Sequence, residues 1–373
     1  MKLDRRSFLL GGGALLAGMT SQPSLGLAET KDFGGQYVST TPLHKLSGTI
    51  TPNNLAFIRN HAGVPEIHDD EHALVVHGLV QTPLRFTVAD IKRFPQVSST
   101  HFIECAGNSN GEWNGSNGSV DNITAEDTHG LVQNCVYVGA SLRDILNEVG
   151  YRSAATWLMA EGADDAKMYR AIPMSTALDD CMVVYGMNGE KLPPEHGGPL
   201  RLLVPGCQGN VSIKWLRRLV VGDGPWQSRE QIVYSPLFAD GYAHQSLAMD
   251  AKSIITLPSP QSTVMRPGPN VISGLAWSGR GKITAVDVSI DGGQNWTRAG
   301  LEGPVLPKAF VRFNLPFDWK GQEMIVASRA QDETGYVQPS LKELAAQRGT
   351  NGFYHNNAIH PWRIRKGGEI ESV

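Results

Sequence analysis

Cysteine is scarce in this chain: Cys105, Cys135, Cys181 and Cys207 are the only four among 373 residues. They form no CxxC pair and no CxxCH string. A zinc ribbon, a covalently attached c-type haem and a disulfide-built scaffold are therefore excluded as organising principles, and any haem belongs to a partner chain. Charge is sparse as well. Asp, Glu, Lys and Arg make up 18% of the residues and the formal net charge is −3, which offers no basic field to nucleic acid or to an anionic membrane surface. Long apolar runs are also missing. The apolar stretch from Phe8 to Met19 is broken by Gly11, Gly12 and Gly13 and falls short of the ~20 apolar residues that span a bilayer, so no membrane insertion is expected.

What is abundant is glycine and proline, 41 and 22 residues, the signature of many turns joining short elements. At the N-terminus Asp4, Arg5, Arg6, Ser7, Phe8 and Leu9 precede the apolar stretch, and Gly26 and Ala28 offer a small-residue cleavage point. Paired arginines in this context are the address of the Tat exporter, which carries folded proteins. Residues 1–28 are expected to be a Tat signal peptide and the mature protein to be periplasmic.

Beyond the leader the pattern is α+β. Strands are expected at 73–80, 182–185, 200–204 and 216–221. A helix at 87–94 would be capped by Thr87 and Asp90 and stopped by Pro95. A second, 142–149, pairs Ser141 with Asp144 as a capping box, shows Leu142, Ile145, Leu146 and Val149 on one face, and ends at Gly150. The polar stretch 116–128 reads as a surface loop. Pro258, Pro260, Pro267 and Pro269 interrupt 252–270, which reads as a linker between a first domain, 37–251, and a second, 271–373. In the second, Val286, Val288 and Ile290 alternate with Asp287 and Ser289, and Asp291, Gly292 and Gly293 turn the chain towards 295–301. With strands at 270–277, 310–315 and 324–330, this is the grammar of a β-sandwich. A helix at 341–347, capped by Ser340 and Glu343, is an insertion into it.

Several stretches carry chemistry-bearing residues. Cys105 ends the apolar run His101, Phe102, Ile103 and enters Gly107, Asn108 and Ser109, so a strand delivers a thiol to a loop tip. A thiolate there suits a soft metal, and a nearby glycine lets a bulky ligand approach; a buried cysteine acting as a small hydrophobe satisfies the same pattern. His68 and His72 flank Asp69, Asp70 and Glu71 without forming HExxH, and read as a solvated loop. Asp332 and Glu333 read as surface charge. Cys207 sits in a tight loop, but spacing places no base beside it. Glu195 to Arg201 and Pro205 to Asn210, followed by Ser212 and Lys214, gather Gly, Asn, Ser, Lys and Arg at two ends of one strand. That is either a phosphate cradle or a glycine-rich hairpin with a basic rim.

Taken in order, Arg59, Asn60 and His61, then Cys105 to Asn108, Glu161 to Asp164, His196 to Arg201, and Lys214 with Trp215 resemble the motif series of the sulfite oxidase family of molybdenum enzymes. Gly274 to Gly279 and Val288 to Trp296 resemble that family's dimerisation domain, so the resemblance runs over roughly 37–365. It implies a mixed α/β molybdopterin-binding domain followed by an immunoglobulin-like β-sandwich dimerisation domain, with self-association through the latter. It also implies a molybdenum-pyranopterin cofactor with Cys105 as the metal's protein ligand. Phe57, Arg59, Asn60, His61, Asp164, His196, Arg201, Ser212 and Lys214 would hold the cofactor, and Tyr234 and Arg59 would join Cys105 in catalysis. The implied chemistry is oxygen-atom transfer to a sulfur lone pair, with electrons passed to a cytochrome.

The departures narrow the expectation. Where the family places arginine after the Cys-Ala-Gly-Asn run this chain has Ser109 and Asn110. Tyr137 stands for a tryptophan, and Tyr354, His355, Asn356 and Asn357 stand where another arginine falls. Arginine forks grip small oxyanions, so free sulfite becomes the second choice as substrate. With Thr128, His129 and Gly130, the pattern resembles the sulfane dehydrogenase branch of the family. That branch implies a substrate sulfur on the cysteine arm of a carrier protein and a separate, dihaem c-type cytochrome subunit as acceptor.

Overall fold

The computed structural model describes residues 31–32, 37–114, 123–226, 228–235, 247–260, 264–349 and 354–373. The leader, 1–28, and the start of the stretch read as a loop, 116–122, lie outside the described residues. The chain is α+β. Two five-stranded sheets build the first unit. One runs Glu190–Lys191, Met182–Met187, Val132–Ser141 and Gln96–Glu104, with Arg201–Leu203 paired to Met182–Met187. The other runs Leu84–Thr87, Ala73–Gly78, Leu216–Gly222, Trp157–Gly162 and Tyr169–Pro173. Ala73–Gly78 and Leu216–Gly222 pair parallel in it.

The helix Leu142–Val149 packs between these sheets. Leu142, Ile145, Leu146 and Val149 are all fully buried, one stripe at helical spacing worth roughly 1.5–3 kcal/mol per side chain. Gly150 closes it in the left-handed region at φ 64, where a side chain would be strained. Ser141 stands at the N-cap but makes no side-chain cap bond, so the expected box is absent there. Thr87 and Asp90 do form a reciprocal box, over a helix that ends at Ile91 rather than 94.

Two sheets make the second unit: Lys252–Leu257, Gly268–Trp277, Val311–Trp319 and Gly300–Leu301, facing Thr297–Arg298, Ile283–Ser289, Met324–Asp332, Pro361–Ile364 and Ile370–Ser372. The stretch read as a linker therefore opens with a buried strand. Its apolar pair Ile254 and Ile255 is fully buried, and the prolines after it hid a run of only six residues. Two further readings are corrected. Ile290 is 41% exposed, because the strand ends at Ser289. Asp332 is buried, accepting from Ser278, Thr334 and Tyr336 in a turn.

The two units share one core. Leu43, Phe102, Ala125 and Val132 of the first join Trp277, Phe310 and Trp362 of the second in a single apolar cluster, with the rings of Trp277 and Phe102 6.4 Å apart. Ala125–His129, which begins inside the stretch read as loop and ends one residue beyond it, is a one-turn helix with Thr124 and Asp127 as a capping box. It plugs this junction.

Candidate active site

Cys105 follows directly on the strand Gln96–Glu104. The chain then tightens: the amide of Asn108 donates to the carbonyl of Cys105 at 3.0 Å, and that of Asn110 to Gly107 at 3.2 Å. Ser109 sits in the left-handed region at φ 63. Cys105 lines a cavity that is partly open to solvent. Phe57, Arg59, Asn60, His61, Asp164, Arg201, Ser212, Lys214 and Tyr234 share the lining. His196 does not touch the cavity but is buried beside it, its carbonyl accepting from Arg201 at 3.1 Å.

Close backbone packing builds the floor. A Cβ on Gly197, at φ 106, would stand 2.8 Å from Cβ of Lys214, and one on Gly162 2.8 Å from the Lys214 carbonyl. The lysine chain is laid in a groove that only glycines leave open.

The floor is positively charged. Lys214 Nζ donates to Asn60 Oδ1 at 2.6 Å and to the Glu195 carbonyl at 2.8 Å. Arg201 donates to the carbonyls of Ser212 and His196, each at 3.1 Å. Neutral oxygens thus solvate two buried cations. Burial holds the lysine well below its ordinary range, Arg201 adding to it. Burial and then Arg59 and Lys214 push His61 down to about 4. Burial and then Lys214 and Arg201 push His196 down to about 3. Among the described residues Asp164 is the single carboxylate in the lining, and burial raises it. His196 Nε2 is buried without a partner. The cationic donors around the lining, Arg59, Arg201 and Lys214, call for an anionic, polar ligand. A phosphate-bearing pterin fits this donor set, with the thiol of Cys105 at one end for a metal.

At that end Tyr234 dominates. Its hydroxyl lies 3.1 Å from His61 Nε2, its ring centroid is 5.0 Å from that of Tyr354, and the guanidinium of Arg170 lies 5.6 Å from the ring centre. Burial pushes the phenol up to about 12. Arg170 is a residue that sequence reading missed. It sits mid-strand in Tyr169–Pro173 with no motif around it, is buried, and donates to Gln231 Oε1 at 2.9 Å and to Asn210 Oδ1. Gln133 and Met168 also line the cavity unannounced, and Asn210 lines it from the glycine-rich stretch read as a possible cradle.

Other nominations resolve differently. Tyr137 is fully buried in the strand Val132–Ser141, takes a hydrogen bond from Gln133 and lies off the cavity lining. Asn357 is buried too, donating to the Ala251 carbonyl and the Tyr336 hydroxyl. Ser109, which stands where the family places arginine, has its hydroxyl held by Lys252. His72 hydrogen-bonds the Leu216 carbonyl and Asp69 pairs with Lys191. All four cysteines are free thiols, Cys135 and Cys181 included, and burial lifts Cys207 to about 12, away from the nucleophile range.

Two family models match the chain: an oxidoreductase molybdopterin binding domain over residues 61–230, and a Mo-co oxidoreductase dimerisation domain over 243–362. Sulfite oxidase of Gallus gallus is 33% identical over 319 residues, covering 78% of this chain and 68% of that protein. The chain belongs to the sulfite oxidase family of molybdopterin oxidoreductases. Mitochondrial sulfite oxidase of Rattus norvegicus is 34% identical, covering 78% of this chain, which spans only 57% of that protein. The family is chemically broader than its name. A nitrate reductase of Hordeum vulgare is 31% identical over 88% of this chain and 41% of its own length. Among solved structures, the sulfane dehydrogenase SoxCD from Paracoccus pantotrophus superposes with a TM-score of 0.88 at 47% identity, covering 92% of this chain and 88% of that one.

Proposed function

We propose that this chain is the molybdenum subunit of a dehydrogenase that oxidises a sulfane sulfur held on a carrier protein's thiol, passing electrons to a c-type cytochrome subunit. The observation that carries this reading is the aromatic wall beside Cys105, formed by Tyr234 and Tyr354. The rings of Tyr234 and Tyr354 lie 5.0 Å apart, tilted at 51°, and the segments where the family resemblance expects further arginines hold Ser109, Asn110 and Asn357, of which Ser109 and Asn357 are buried and engaged. A small dianion such as sulfite is best gripped by paired guanidinium forks. A sulfur chain on a protein arm needs instead a mouth with apolar walls. The likeness to the solved sulfane dehydrogenase SoxCD supports this reading.

When bound, the cofactor would supply oxygen-atom transfer to sulfur and accept the two electrons. Cys105 would anchor the metal. Arg201, Lys214, His196, Ser212, Asn60 and Asp164 would hold the pterin and its phosphate, with Phe57 against them. Neutral His61 would keep the Tyr234 hydroxyl in place, and that phenol, protonated far above neutral pH, would serve as a hydrogen-bond donor at the Cys105 end of the cavity. Arg59 supplies the cation beside it. The second unit's sandwich would join two copies, each with its cytochrome. Residues 1–28 would direct the folded, loaded protein through the Tat exporter to the periplasm.

The test is a steady-state assay of purified protein with its cytochrome. Rapid reduction by carrier-bound sulfane and slow reduction by free sulfite is expected. Rapid turnover of free sulfite without any carrier would favour sulfite dehydrogenation instead.

A further inference from the structure

Glu104 stands one residue before Cys105 and is wholly buried. Its Oε1 accepts from Lys252 Nζ at 3.0 Å and from Asn108 Nδ2 at 2.9 Å, and its Oε2 from the indole Nε1 of Trp277 at 2.8 Å. Lys252 Nζ donates a second bond to Ser109 Oγ at 2.9 Å. Lys252 and Trp277 belong to the second unit, where they are Cα partners across the antiparallel strands Lys252–Leu257 and Gly268–Trp277. Two neighbours on one sheet thus grip both ends of the Cys105 loop, the carboxylate before it and the serine four residues after it. Asn356 adds a bond to the Ser109 carbonyl at 3.0 Å, and the amide of His355 one to the Ala106 carbonyl at 2.8 Å.

Stability alone does not call for this arrangement. A dry ion pair returns little net free energy, because desolvating both charges offsets their attraction, and apolar side chains of like size would seal the junction as well. What the charged, directional contacts supply is geometry. The loop needs it: Ser109 is held in the left-handed region at φ 63, a conformation that costs a non-glycine residue about 1 kcal/mol or more and persists only where its surroundings impose it.

We propose that Lys252 and Trp277 are positioning residues for Cys105: through Glu104 and Ser109, the second unit fixes the direction in which the thiolate is presented to the metal. The role of the second unit then extends beyond joining copies. The proposal rests on the reading of Cys105 as the metal's protein ligand.

The experiment compares Lys252→Met, Trp277→Phe, Cys105→Ser and Lys308→Met, each as the full chain, loaded with cofactor and free of it. Lys308→Met removes another contact between the units, the Lys308 to Asp180 ion pair at 2.6 Å, without touching the loop. Three quantities are read: the melting temperature, the electron paramagnetic resonance of the half-reduced molybdenum centre, and the rate at which iodoacetamide alkylates Cys105 in cofactor-free protein. Lys252→Met and Trp277→Phe are expected to shift the resonance and change the alkylation rate by about tenfold, while Lys308→Met lowers only the melting temperature. A wild-type resonance and wild-type alkylation rate in both variants, or equal shifts in Lys308→Met, would overturn the positioning role. If Lys252→Met fails to fold, Trp277→Phe, which keeps the ring and loses the indole donor, decides on the same readouts. A wild-type resonance in Cys105→Ser would defeat the underlying reading; a changed one with unchanged neighbours defeats the positioning role alone.

Discussion

The imidazole Nε2 of His61 and the hydroxyl of Tyr234 lie 3.1 Å apart, joining residues 173 positions distant in the chain at the Cys105 end of the cavity. Burial and two neighbouring cations keep the imidazole neutral at any pH well above about 4. Its hydrogen bond can therefore orient the phenol without competing for charge. Tyr234→Phe is expected to lower kcat by roughly 10²-fold or more while leaving molybdenum content unchanged, read by metal analysis beside steady-state kinetics.

Acid should weaken the protein in a defined window. His61, His196 and His355 are all depressed, to about 4, about 3 and about 3, by burial and then by neighbouring cations. In the unfolded chain they take protons near the ordinary histidine value, ~6.5, so below it the unfolded state binds more protons than the folded one. Their contribution is fully present above ~6.5 and is lost as the pH falls through the folded values. Melting temperatures of cofactor-free protein should fall from pH 7 to 4, and His61→Gln should flatten that slope.

Asn110 and Asn357 separate a position open to redesign from one that is closed. The Asn110 side chain lies at the Cys105 loop, its Nδ2 4.0 Å from where a Cβ on Gly107 would stand. Asn110→Arg should lower KM for free sulfite by about tenfold. Asn357 is buried and bonded on both sides of its amide nitrogen, so Asn357→Arg should instead destabilise the fold by about 3 kcal/mol or more. Sulfite kinetics for the first and denaturant midpoints for the second are the measurements.

Gly197 couples backbone geometry to cofactor retention. At φ 106, with Lys214 2.8 Å from any added Cβ, Gly197→Ala must both strain the turn and displace the lysine chain. A loss of about 2 kcal/mol in stability should accompany a reduced molybdenum content, whereas Gly189→Ala, also at positive φ but with open space around it, should cost stability without losing metal.

Much of the cavity was legible in the chain because its parts fall in local strings: Arg59 to His61, the Cys105 run, and the two glycine-rich ends around Arg201–Leu203. The missing parts are those whose partners are remote. Lys252 meets Glu104 across 148 positions, so nothing near either residue announces the pair. Arg170 lies in a five-residue strand and turns to Gln231, 61 positions on. The strand Lys252–Leu257 was obscured by the prolines behind it. The helix Ala125–His129 spans five residues, too short to show a period. Asn357 was assigned to the pocket by resemblance, and the packing of Tyr336 against it is a tertiary fact no local pattern carries.

The central claim is that Cys105 presents its sulfur to a molybdenum centre in this cavity. X-ray absorption at the molybdenum edge of the purified holoenzyme tests it most directly. The count of sulfur neighbours should fall by one in Cys105→Ser, with oxidation activity lost and the fold retained; an unchanged sulfur count in that variant would contradict the account.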